Sequence, residues 1–134
     1  MLDYGAVNWV AVIVAAVVQI VIGTIWYLPA LFGRRWAMEL GRDLGARPDP
    51  MLYGVAIVGA LITSYVMALL VHATGVASIT EGLVLGGLVG AGILAANQAV
   101  GGSFEGRSWA LWGINAGNSV VSLAVVGAIL AAMG

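Results

Sequence analysis

Four apolar stretches, at about residues 7–28, 51–73, 82–100 and 109–132, constrain this chain more than anything else in it. None carries an Asp, Glu, Lys, Arg or His in its middle. At 1.5 Å rise per residue, some 22 residues make roughly 33 Å, enough to cross the ~30 Å hydrocarbon core of a bilayer. The chain has 134 residues, 62% of them hydrophobic and 8% charged, where a soluble domain carries about 25% charged residues. A soluble bundle of four such helices could not coat its outer faces with so few polar side chains. The expected fold is therefore an all-α membrane protein, one four-span transmembrane domain over residues 1–134.

The punctuation between the stretches supports that division. Asn8 and Trp9 open the first, and Trp26 and Tyr27 close it at positions that suit interfacial aromatic belts; Pro29 then stops the helix. The only long connection, residues 29–50, holds Phe32, Trp36, Leu40 and Leu44 at four-residue intervals with charges between them. Residues 33–44 read as a short amphipathic helix on the membrane surface, the alternative being an irregular loop with aromatic anchors. Ser78 and Glu81 have the spacing of a capping box before the third stretch. Residues 1–4 lack the positive region of a signal peptide, so the first stretch reads as a retained span.

Topology follows from the arginines. Arg34, Arg35, Arg42 and Arg47 lie between spans one and two, and Arg107 lies between spans three and four. Those two connections share one side of the membrane. The positive-inside rule makes it the cytoplasmic side of a bacterial inner membrane, with both termini outside. The same five arginines are candidates for contact with lipid headgroups. Phe32–Trp36 and Phe104–Trp109 share a Phe, Gly, Arg, Trp composition after successive outward-to-inward spans. This reads either as a worn repeat or as the ordinary composition of interfacial loops.

Small and polar residues inside the spans carry the rest. Ala11, Ala15, Gln19 and Gly23 form a four-residue row on span one. Gly82, Gly86 and Gly90 form a double close-packing motif on span three, and Gly113 and Gly117 share a face of span four. Rows of this kind let helix backbones approach closely. Asn97 is expected on the Gly86 face, with Gln98 beside it, while Asn115, Asn118 and Ser122 share a face of span four. An amide without a partner in hydrocarbon costs roughly 4–8 kcal/mol, so these groups must meet one another, another subunit or water. They are either interhelical fasteners or, with Gln19, the lining of a polar pocket or pore.

Asn8-Trp9, Gly23, Trp26-Tyr27-x-Pro29-x-Leu31-Phe32-Gly33 and Trp36 open the chain, and Phe104–Ser108, Ile114–Gly117 and Gly127–Leu130 close it. In order and spacing these resemble a family of small bacterial membrane proteins, domain of unknown function 1761. The resemblance spans nearly the whole chain, although residues 42–80 are generic. It departs at Asn118, where relatives are expected to carry an aromatic or other bulky residue. It implies a four-span integral membrane domain and no activity.

Chemistry is sparse. There is no cysteine, the net charge is −1, and the single histidine, His72, falls on the outer side with Asp3 and Glu81, and beside Glu81 it offers too few ligands for a metal site. No metal, cofactor or nucleic-acid partner is expected. No embedded carboxylate or histidine is present for a proton-coupled carrier. No base lies near Tyr65, Ser119 or Ser122, so a catalytic site and enzyme activity are not expected. Three functions stay open: a self-associating structural or accessory component of a membrane complex, a homo-oligomeric channel or carrier for a small neutral solute or ion, and a lipid-interacting protein. The expected partners are membrane lipid, a second copy of the chain and a further membrane protein.

Overall fold

The computed structural model describes residues 2–42 and 50–134. Arg47 and the end of the expected surface helix, residues 43–44, lie outside the described residues. Helix makes up 86% of the described residues, and there is no strand among them. Helix α1 is Trp9–Trp26, α2 is Arg34–Leu40, α3 is Pro50–Ala73, α4 is Ile79–Val89, α5 is Ala96–Phe104 and α6 is Trp109–Met133. A π-helical turn, Gly90–Ala95, joins α4 to α5, so that Ile79–Phe104 is one span. It and the helices α1, α3 and α6 are, among the described residues, the four long and apolar enough to cross a membrane.

Local chemistry sets the starts. Asn8 Oδ1 accepts from the N–H groups of Val10 and Ala11, and its Nδ2 donates to the Met133 carbonyl at 3.0 Å. One side chain thus caps α1 and ties it to the end of α6. Ser78 accepts from the Glu81 N–H at 3.1 Å and donates to its carboxylate. Residues 79–81 are therefore the first helical turn, and the third span begins three residues before the expected 82. Ser108 caps α6 by accepting from Leu111 N.

Glycine decides which spans pack most tightly. A Cβ at Gly82 would run into the Gly127 carbonyl, one at Gly86 into the Leu123 carbonyl, and one at Gly90 would stand 2.8 Å from Val120 Cα. The third span thus lies backbone to backbone against α6. On the other side of α6, Ala11, Val12 and Ala15 of α1 are fully buried with Met67, Ala68 and Val71 of α3 and Leu123, Val126 and Leu130 of α6. Helix α3 joins this core only through its second half. Its residues 50–59 are all exposed, and burial starts at Ala60.

The first connection is a compact turn. Pro29–Gly33 winds as a π turn closed by Gly33 N–H to the Leu28 carbonyl at 2.9 Å. Gly33 is buried, and a Cβ there would collide with the Tyr27 carbonyl. The turn folds α2 back on the bundle, and Gly41, at φ 67°, ends it. The matching Phe104–Trp109 stretch is the end of α5, a turn through Gly106 at φ 72°, and the Ser108 cap. The two segments have different conformations.

Candidate functional site

The polar groups of the spans gather toward the arginine side, and the π turn of the third span decides which of them meet. One extra residue in a helix rotates everything beyond it by about 100°. Asn97 therefore leaves the Gly86 face, and Gln98 takes its place. Gln98 Nε2 donates to Ser119 Oγ at 3.3 Å, joining the third and fourth spans. Asn97 is exposed, and its side chain has no hydrogen bond among the described residues. The expectation that Asn97 shares a face with Gly86 is corrected by that turn.

Asn115 pairs with a residue outside the expected cluster. Tyr27 Oη donates to Asn115 Oδ1 at 2.6 Å, and next to it Trp26 Nε1 donates to the Ile114 carbonyl at 2.8 Å. Trp26 and Tyr27 do not act as outward belts. Both turn inward and bind α1 to α6. Gly117 provides the seat for this contact, since a Cβ there would be 2.8 Å from Trp26 Cζ2. The close approach at Gly117 is thus to an indole ring, not to a helix backbone. A Cβ at Gly113 or Gly23 would meet nothing within 4 Å, so neither glycine sits at a close helix contact. Asn118 Oδ1 accepts from Ser122 Oγ at 3.3 Å within α6. Gln19 reaches no partner, and its Oε1 is buried without a donor, as are Gln98 Oε1 and Ser64 Oγ.

An aromatic layer covers this junction. Phe32 packs on Trp26 at 4.7 Å between ring centroids, and Trp36 meets Tyr27 edge-on at 5.4 Å. Glu39 of α2 accepts from the cap residue Ser108 and from Arg35, the latter at 2.8 Å. The Ser108 hydroxyl and then the Arg35 guanidinium hold the Glu39 carboxyl below its ordinary range. Arg107 pairs with Glu105 at 2.6 Å, and Arg42 lies 5.5 Å over the Trp36 ring. Arg34 has no partner among the described residues.

Two hollows flank the junction. One, of about 370 Å³, lies between α5 and the start of α6 and is lined by Asn97, Gln98, Asn115, Glu105, Arg107 and Trp112. It gathers three of the five expected amides. The other, of about 670 Å³, is a groove between α1 and the splayed first half of α3, with Gln19 and Asn118 among its lining. Among the described residues, no group of three or more His, Asp and Glu stands together. Sequence reasoning missed Tyr27 and Trp26 as parts of the polar junction. Their place beside Pro29 and their presence in the family-like motif were the available signals. A family model with the description "Protein of unknown function (DUF1761)" matches residues 10–131. No curated protein and no solved structure matches the chain.

Proposed function

The chain belongs to the DUF1761 family, a membership that brings no activity with it, and from its own geometry we propose that it is a structural or accessory component of the membrane. In this reading it is a self-associating four-span bundle without catalytic activity, resident in the bacterial cytoplasmic membrane. The arginine side faces the cytoplasm, and both termini face out. Single cysteines at Ser78 and Ser103 should then label from the outside and the inside respectively.

The observation that carries the reading is where the amides spend their hydrogen bonds. Asn115 is bonded to Tyr27 across α1 and α6, and Gln98 to Ser119 across the third and fourth spans. Both bonds close within one chain. Each supplies roughly 0.6–2 kcal/mol of interhelical attachment, the range for such contacts in membranes. The Gly82, Gly86 and Gly90 row is spent on α6 in the same chain, whereas Gly87 and Gly92 look outward with open space beside them. Self-association is assigned to a face outside the Gly82, Gly86 and Gly90 row.

A second reading, a channel or carrier for a small neutral solute or ion, has one observation in its favour. The 370 Å³ hollow brings Asn97, Gln98 and Asn115 together beside a mutually neutralised Glu105–Arg107 pair. Urea and glycerol permeation of reconstituted vesicles separates the two. The structural reading predicts rates equal to protein-free vesicles. Saturable permeation that is lost in Gln98→Leu would replace it with the carrier.

A further inference from the structure

We propose that the groove between α1 and α3 is a binding site for an anionic diacyl phospholipid, its ester carbonyls at Gln19 and Asn118 and its phosphate at Arg42. Three independent features define the occupant. The first is shape. All of α3 before Ala60 is exposed, and the resulting groove of about 670 Å³ opens sideways, where a bilayer supplies lipid. Ile20, Ala56, Gly59 and Ala60 give its wall the apolar surface that an acyl chain covers.

The second is hydrogen bonding. Among the described residues the Gln19 side chain makes no hydrogen bond, and Asn118 uses only its Oδ1, for Ser122. Both line the groove with amide N–H groups that have no acceptor among the described residues, and Gln19 Oε1 is buried without a donor. A donor with no acceptor is costly in hydrocarbon, where water cannot substitute. The occupant must bring oxygen acceptors below an otherwise apolar stretch. The ester groups of a phospholipid supply carbonyls that accept from the two amides.

The third is charge. Arg35 and Arg107 are neutralised by Glu39 and Glu105. Arg42 has no acidic partner among the described residues, and it stacks on Trp36, a wall of the groove. Arg34, eight positions earlier, is likewise without one. A cation held over the groove wall complements a phosphate. Ester acceptors, apolar tail and anionic head occur together in one class of membrane molecule.

The test uses the intact protein in vesicles of equimolar dioleoyl phosphatidylglycerol and dioleoyl phosphatidylcholine. It is extracted in mild detergent, and its bound lipid is identified by native mass spectrometry. The wild type should retain phosphatidylglycerol over phosphatidylcholine, and Arg42→Gln should level the two. An ether-linked phosphatidylglycerol, which lacks the carbonyls, should be retained about tenfold less. Gly59→Phe should empty the site, because a Cβ there meets open space and the ring fills the groove. Melting is measured alongside; should Gly59→Phe unfold, Ala56→Leu takes its place. Unchanged retention in the groove-filled variant, or no preference for the anionic lipid in the wild type, would overturn the proposal. Loss of self-association with retained lipid would overturn it too, by making the occupant a second chain.

Discussion

At the scale of single residues, the glycines show how little the identity of a residue says about its task. Gly86 and Gly87 are neighbours on one helix. A Cβ on the first collides with the Leu123 carbonyl, and a Cβ on the second meets nothing. Gly86→Ala should lower stability by about 1–3 kcal/mol, the ordinary cost of overpacking a tight contact. Gly87→Ala should match the wild type or exceed it, because alanine is the better helix former. Thermal melting in one detergent compares them directly, and equal losses would contradict the backbone contact. The row Gly82, Gly86, Gly90 could be read in the sequence because its four-residue spacing is a property of the helix alone. Gly113 misled for the same reason: its spacing to Gly117 is right, but only Gly117 has a ring to receive.

At the scale of elements, what was legible is what the chain fixes locally. The apolar stretches, Ser78 as a cap, and Pro29 as a stop could be seen in the sequence; Asn8 could be seen at the start of the first span but not as its cap. The π turn at Gly90–Ala95 could not, because no periodicity announces one extra residue. That turn exchanges Asn97 for Gln98 at the contact with Ser119. The folding of α2 onto the bundle was equally hidden, since its anchor, Ser108, lies far along the chain. This docking has a pH dependence with a definite sign. Glu39 is held below its ordinary range by Ser108 and Arg35. Its contribution is therefore complete above the unfolded glutamate value, and it is lost as pH falls through the lower folded one. The hydrogen-exchange protection factors of residues 34–40, corrected for the pH dependence of intrinsic amide exchange, should be high at neutral pH and fall below about pH 4. Glu39→Gln should remove that pH step, and a step that persists would separate Glu39 from the docking.

At the scale of the whole molecule, the fold is an asymmetric bundle. The third and fourth spans are joined backbone to backbone, α1 is fastened to α6 by indole and phenol donors, and α3 leans away on the arginine side. That asymmetry produces both the polar hollow and the lateral groove, and it arises from contacts between distant residues that no local pattern carries. Composition could reveal the membrane and the number of crossings but not which partner each amide would find. The central claim is that these amides fasten one chain together. It is tested most directly by a double-mutant cycle on Tyr27→Phe and Asn115→Leu, read as thermal stability. Each single change leaves a half-buried polar group without its partner and should cost about 1–3 kcal/mol, and the double variant should lose clearly less than the sum. Asn97→Leu, which breaks no bond, should leave stability unchanged or raise it. An Asn115→Leu variant as stable as the wild type, or strict additivity in the double variant, would contradict the account.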